Sequence, residues 1–416
     1  MPRSAGFSRQ DQELVCDGVS LAAIAADAGT PVYVYSAALL RERYRAFDAA
    51  FGGYTHAIHY ALKANSTLAI VRLLRGLGSS VDANSIWEIE VARAAGFEPS
   101  DIVFTGVGKS PSELECAVSL GVKAINVESS GELARVESIA RRSRSVARVA
   151  IRVNPDIYAR SHRHISTGLR INKFGVAEAD ARELLATIAA RPALKLVAVH
   201  LHVGSQITTL DPIRRAAAFA TRLSCELIEG GVPLEYVDLG GGLGVSYDGT
   251  RVPSTSEYVQ ALVDEVRPTG LPIVIEPGRS LMAPAGALVA RVVDLKPRDA
   301  ASDFAIIDAG MTELLRPALY NAFHHIEPVI ERSARARDYE VVGPVCESSD
   351  VVGRDRRLPE LAVGDLIAIR DVGAYGSAMA SNYNRRPTPA EVLVDDGGWS
   401  VIRRRQTVED ILSLER

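Results

Sequence analysis

His59-Tyr60-Ala61-Leu62-Lys63-Ala64-Asn65 sets one lysine where a short strand-like run, 57–61, gives way to a helical pattern starting near Thr67. A lysine held at the end of a strand can lose solvation and act as a Schiff-base amine. Taken alone, it reads more readily as a solvated strand-end charge. The runs that follow decide between these readings. Further β-branched or apolar runs at 80–82, 102–104, 124–127, 147–153, 196–202, 236–239 and 272–276 alternate with helical patterns. Such alternation is the signature of parallel βα units, and eight of them close a (β/α)8 TIM-type barrel, giving an α/β fold class. Lys63, Asp82, Thr105, Glu128, Asn154, His202, Gly240 and Glu276 stand at or just past the C-terminal ends of these runs. That end of a barrel carries the chemistry.

Beyond Arg279 the pattern changes to short alternating strands at 286–295, 304–308, 339–342, 365–370, 391–394 and 400–403, which reads as a C-terminal, mostly antiparallel β domain. Before the barrel, residues 20–28 have helical spacing, Thr30-Pro31 breaks it, 32–35 is β-rich and 41–51 is helical, while 1–18 reads as a polar leader. The expected domains are an N-terminal segment, 1–36, joining the β domain; a barrel, 37–283; and a C-terminal β-sandwich or barrel-like domain, 284–416.

A chain of 416 residues that is 47% hydrophobic can bury a large core. Its net charge of -4 argues against a nucleic-acid partner. The arginine clusters Arg141, Arg142, Arg144 and Arg148, and Arg403 to Arg405, lack interleaved aromatics and read as solvated faces. The four cysteines show no CxxC pair or metal spacing, which fits a reducing compartment. No uncharged apolar run reaches about 18 residues and 1–18 has no apolar core, so no membrane partner and a cytoplasmic location are expected.

Four motifs carry a family resemblance: Tyr60-Ala61-Leu62-Lys63-Ala64-Asn65, Gly240-Gly241-Gly242, Glu276-Pro277-Gly278-Arg279 and Cys346-Glu347-Ser348. With them the chain, from about Thr30 to about Leu412, resembles the pyridoxal-phosphate decarboxylases of alanine-racemase-like fold, and within these the diaminopimelate decarboxylases. The resemblance implies pyridoxal 5'-phosphate as cofactor, Lys63 as its Schiff-base lysine and Glu276 at its pyridine nitrogen. The cofactor cation would then depress the Glu276 pKa. An arginine in that place would suit a racemase, so Glu276 favours decarboxylation. The cofactor-binding set implied is Lys63, Asp82, His202, Ser205, Gly240, Gly241, Gly242, Glu276, Gly278, Arg279 and Tyr375, with His202 stacked on the ring and Ser205 near the phosphate. Cys346 matches the proton donor to Cα, so the catalytic set is Lys63, Cys346 and His202.

For substrate, Arg279, Arg316, Tyr320, Glu347 and Tyr375 match the diaminopimelate decarboxylase set. Two guanidinium groups suit a distal carboxylate and a glutamate suits a distal ammonium. A small amino acid carrying both is meso-diaminopimelate, with L-lysine and carbon dioxide as products. The resemblance also implies a homodimer whose active site is shared, with Cys346, Glu347 and Tyr375 reaching the partner's Lys63 site. His200-Leu201-His202 could be a metal pair by alternation, but no further ligand set is evident and no metal is expected. The segment 154–175, with His164-Ile165-Ser166-Thr167-Gly168, reads as a lid.

The pattern departs at Ser85-Ile86-Trp87-Glu88, where the family has Ser-Gly-Gly-Glu. Extra bulk there implies a reshaped pocket or a diverging backbone. It keeps two other readings open: a decarboxylase of this fold acting on another amino acid or a conjugated diaminopimelate, and a non-catalytic regulatory relative.

Overall fold

The computed structural model describes residues 5–158, 172–188, 190–298 and 302–415. Every one of the eight apolar runs becomes a strand: His56–Ala61, Ser80–Ala83, Ile102–Phe104, Ala124–Val127, Ala147–Asn154, Leu194–His200, Tyr236–Asp238 and Ile273–Ile275. All pair in parallel with their sequence neighbours, and Ile273–Ile275 pairs back onto His56–Ala61, closing the barrel. Strands buried on both faces need near-continuous apolar sequence, which is why Ile102–Phe104 and Ile273–Ile275 show no polar alternation.

The intervening helices cover the barrel through apolar stripes. In Asp211–Glu229, Ile213, Ala216, Ala217, Ala220 and Leu223 are buried, the i, i+3, i+4, i+7 spacing of one helix face. Pro111–Leu120 and Thr255–Val266 begin with capping boxes, in which Ser110 and Ser254 exchange hydrogen bonds with Glu113 and Glu257.

The chain divides into two compact units: a barrel unit of Tyr44–Val245 and Arg251–Ser280, and a β unit of Met1–Arg43, Ser246–Thr250 and Leu281–Arg416. In the β unit, Gly286–Lys296 is the central strand. It pairs antiparallel with Val32–Ser36, Leu366–Ile369 and Asp303–Ile307. Val32–Ser36 also pairs in parallel with Ala390–Asp395, so a strand from the start of the chain is built into a sheet made mostly from its end. A core of Leu14, Leu21, Ile24, Val32, Val34, Val289, Val392 and Val394 packs around it.

Three expectations are corrected. The polar leader contains a three-stranded sheet of Phe7–Gln10, Glu13–Cys16 and Val19–Ser20. The helix expected from 41 starts earlier, as Ala37–Ala50. An unexpected strand, Val351–Pro359, pairs with Ala336–Val342; Arg354, Asp355 and Arg357 are exposed at the sheet edge, which hides the strand period. Arg141 and Arg142 are exposed and ion-paired with Glu137 and Glu115, as a solvated face requires. Among the described residues no helix is long and apolar enough to cross a membrane.

Candidate active site

Lys63 sits in a single 3-10 turn, Leu62–Ala64, directly after the first barrel strand. Its Nζ donates to Asp82 Oδ2 at 3.0 Å, and Asn84 Nδ2 donates to the same oxygen at 3.1 Å. Asp82 is fully buried within the second strand. Burial alone would raise its pKa; the Lys63 charge, with hydrogen bonds from Thr105 and Lys63, outweighs it and holds the carboxyl below its ordinary range. The lysine end of the first strand is therefore fixed by an ionised partner on the second.

Glu276 follows the eighth strand, buried, with Oε2 at 3.4 Å from His200 Nε2 on the sixth. Burial first, then the Asp82 charge, raises Glu276 above the usual carboxylate range. His202 lies just past the sixth strand and accepts the Gly241 N–H on Nδ1 at 3.1 Å. Burial, then Lys63 and Arg152, push its pKa well down, so the ring is a neutral imidazole with Nδ1 as acceptor.

The glycine triplet is fixed by close backbone approach. A Cβ on Gly240 would lie 2.6 Å from the Leu201 carbonyl oxygen, and one on Gly241 only 2.4 Å from that of Glu276. Gly240 also has φ +62°, which glycine adopts without penalty. The segment after the sixth strand packs along this turn, with the Ile207 N–H donating to the Gly242 carbonyl at 2.9 Å. On that segment Ser205 Oγ accepts from Arg279 Nε and Nη2 at 3.2 and 3.0 Å, so Arg279 and Ser205 stand together. Gly278 is buried beside them.

In the β unit, Arg316 opens the short helix Arg316–Tyr320 and is buried. Its guanidinium lies 4.7 Å from the Tyr247 ring centroid, and Nη1 donates to His324 Nε2 at 2.8 Å. His324 Nδ1 faces the Arg370 carbonyl at 2.9 Å, which sets the tautomer that leaves Nε2 as acceptor. Tyr320 is half-exposed. Cys346 and Glu347 are exposed on a tight loop organised by Asp350, whose carboxylate accepts from the Met311 and Val345 N–H groups at 2.6 and 2.7 Å. The Cys346 N–H donates to Asn384 Oδ1 at 2.9 Å. Tyr375 has φ +58°, a left-handed conformation costing a non-glycine residue about 1–2 kcal/mol. Strain of this kind clusters at functional sites.

Several charged groups of the barrel escaped the sequence reading. Arg152, buried on the fifth strand, pairs with Glu128 at 2.6 Å. Glu88 accepts the Asn84 N–H at 2.6 Å, and its pKa is pushed up to about 7 by burial, against that hydrogen bond. The Ser85-x-x-Glu88 capping pattern was the available signal for it. His200 does acquire neighbours with ligand capacity: one atom each of His200, Asp238 and Glu276 lie within 4.8 Å of one another. His202 is not in that group, so the HxH pair is not itself a metal pair. Metal binding would require both carboxyls ionised in a site where burial favours their protonated forms. Trp87 is 73% exposed in the first turn of Ile86–Ala95, capped by Ser85, so its bulk projects into solvent, whereas Ile86 is half-buried. Of the segment read as a lid, 159–171, including His164 to Gly168, lies outside the described residues.

Residues 37–283 match the family described as pyridoxal-dependent decarboxylase, pyridoxal binding domain. Over 98% of both chains, this one is 43% identical to the diaminopimelate decarboxylase of Pseudomonas aeruginosa. The chain belongs to the diaminopimelate decarboxylase family of pyridoxal-dependent decarboxylases. The solved Helicobacter pylori diaminopimelate decarboxylase complexed with L-lysine is 43% identical, with TM-score 0.91 over 95% of this chain and 98% of that one. The M. jannaschii diaminopimelate decarboxylase in complex with L-lysine is 35% identical, with TM-score 0.94 over 100% of this chain and 99% of that one. Lysine/ornithine decarboxylase of Vibrio vulnificus, at 23% identity and TM-score 0.79, shares the fold.

As a member of this family the chain is a carboxy-lyase with pyridoxal 5'-phosphate as cofactor and the alanine-racemase-like fold, barrel plus β-rich domain. Its own residues fit that group. Lys63 supplies a positioned amine, Glu276 Oε1 is a buried acceptor with no hydrogen-bond partner among the described residues, and Gly240 to Gly242 form a tight turn in which no Cβ fits, because neighbouring backbone takes up each Cβ position.

Proposed function

We propose that this enzyme decarboxylates meso-2,6-diaminopimelate to L-lysine and carbon dioxide, the last step of lysine synthesis, as a cytoplasmic homodimer. The observation that carries the reading is the pair of fixed carboxyls around one amine: ionised Asp82 on Lys63, and Glu276 after the neighbouring eighth strand, with an oxygen that has no hydrogen-bond partner among the described residues. When bound, pyridoxal phosphate supplies the electron sink that a carbanion at Cα needs. Lys63 binds the cofactor, Asp82 holding its amine in place. Glu276 would accept the pyridine N–H, and Gly240, Gly241 and Gly242, with Ser205, Gly278 and Arg279, would hold the phosphate. His202, a neutral imidazole, would lie against the ring without adding positive charge to it.

Arg316 and Tyr320, with Arg279, are assigned to the distal carboxylate and Glu347 to the distal ammonium. The buried, stacked and hydrogen-bonded Arg316 supports this, because a guanidinium held in one orientation selects a planar carboxylate. Cys346 delivers a proton to Cα and Tyr375 reaches phosphate and substrate. The exposure of Cys346 and Glu347 supports their delivery to the Lys63 site of a partner subunit, where burial would make a thiol selective as an acid.

The test is to give purified enzyme and cofactor meso-diaminopimelate, L-lysine, L-ornithine and L-arginine in parallel and measure carbon dioxide and product for each. L-lysine formed from diaminopimelate, with no release from the others, is expected. Release from lysine or ornithine instead would reassign Arg316, Tyr320 and Glu347.

A further inference from the structure

Behind Glu276 the barrel holds a second carboxyl that the mechanism above does not use. Asp238 ends the seventh strand, fully buried. One of its oxygens accepts the Gly240 N–H at 3.0 Å, and Gly240 returns its carbonyl to the Glu276 N–H at 2.8 Å. Among the described residues its other oxygen, Oδ2, has no hydrogen-bond partner, and neither has Glu276 Oε1. Yet one oxygen of each carboxyl lies within 4.8 Å of the other and of a His200 ring nitrogen. Two buried carboxylates so placed repel unless a proton lies between them.

We propose that Asp238 is a positioning residue that holds a proton toward Glu276, tying the phosphate turn to the carboxyl assigned to the pyridine nitrogen. This rests on the reading of Glu276 and the glycine turn as cofactor contacts. The surroundings agree. Asp238 interacts electrostatically with Glu276, His200 and Asp82, and with Tyr236, Tyr258 and Lys123. Glu276 faces Asp82, Lys63 and Arg152. Burial and then the Glu276 charge push Asp238 well up, while burial keeps His200 neutral, with a pKa of about 4, so His200 does not neutralise the pair. With the Asp238 proton donated to it, Glu276 keeps its negative charge for the ring while one of its lone pairs is satisfied. The same side chain sets the height of the Gly240 N–H, so the two ends of the cofactor are gauged by one residue.

The experiment compares wild type, Asp238→Asn and Asp238→Leu. Asparagine keeps an acceptor for Gly240 and offers an N–H where the acid offered O–H; leucine offers neither. Loss of a hydrogen bond to a charged group predicts pyridoxal phosphate binding weakened about 10- to 100-fold in Asp238→Leu, with Asp238→Asn within about threefold of wild type, read by absorbance titration of the apoenzyme. Infrared spectra of the apoenzyme at neutral pH should show a buried carboxylic acid band in wild type that Asp238→Asn removes. An unchanged band in Asp238→Asn overturns the proposal, and decides it alone if Asp238→Leu does not fold. Equal weakening in both variants, with wild type binding normally, also overturns it. Failure of wild type to bind the cofactor would sink the functional reading and this inference with it.

Discussion

The interior of the barrel and the loop that carries Cys346 are opposite ways to build reactive groups. In the barrel, Lys63, Asp82, Arg152, His200, Asp238 and Glu276 lie on or just past different strands of one closed sheet, and all but Lys63 are buried. Their protonation states are set by one another: charges on the second and sixth strands feel each other across the interior. In the loop, Cys346 and Glu347 are exposed, and the hydrogen bonds that shape it run to backbone: buried Asp350 accepts the Met311 and Val345 N–H groups, and Asn384 accepts that of Cys346. Burial preorganises the first set and leaves it sensitive to every neighbour. The second is held in shape and acquires its environment from whatever covers it.

The strongest way to break this contrast is at the amine. Lys63→Ala should lower turnover by more than about 10⁴-fold, beyond the contribution of a general acid or base, and abolish the reducible cofactor linkage. Retention of that linkage would remove Lys63 from its role. Cys346→Ser should cost about 10²- to 10⁴-fold in turnover while leaving cofactor absorbance intact; full activity would contradict its assignment as proton donor. Gly241→Ala drives a Cβ to 2.4 Å from the Glu276 carbonyl. Cofactor affinity should fall about 10-fold or more, because backbone on both sides must shift, and an unchanged dissociation constant would show the turn to be a plain connection.

Glu88 sharpens the electrostatic half of the comparison. Its folded pKa, raised to about 7 chiefly by burial, means that the folded state holds the proton more tightly than the unfolded chain. Stability from this group is complete below the ordinary glutamate range and is lost as pH rises to about 7, by about 1–3 kcal/mol. Thermal unfolding between pH 4 and 8 should therefore be flatter for Glu88→Gln than for wild type. Parallel curves would place Glu88 in a more solvated setting. The smallest effect is expected at Trp87, which is 73% exposed: Trp87→Ala should leave stability within about 0.5 kcal/mol and the preference for diaminopimelate unchanged. A switch of substrate would make the Ile86-Trp87 departure functional after all.

How far the sequence could be read follows the same physics. The eight barrel strands were legible because parallel strands covered on both faces must be apolar, and Gly, Pro and helix periods punctuate them. The first hairpin was not. Its two-residue turn, Asp11-Gln12, has both φ angles positive, a conformation normally signalled by Asn-Gly. The strand Val351–Pro359 was hidden by Arg354, Asp355, Arg356 and Arg357, charges an edge strand tolerates. At the site, Lys63, Glu276 and the glycine triplet stood in recognisable motifs. Arg152, His200 and Asp238 are single polar residues inside strands, and their meaning appears only when closure brings different strands face to face.

The most direct test of the account is whether a buried barrel and an exposed loop from different subunits complete one site. Lys63→Ala and Cys346→Ser, each nearly inactive alone, should be co-expressed with distinct tags and the mixed dimers assayed for lysine formation. If the site is shared, each mixed dimer carries one intact site of two and restores about half of wild-type activity. Mixed dimers as inactive as their parents would contradict the shared site and place Cys346 with the Lys63 of its own chain.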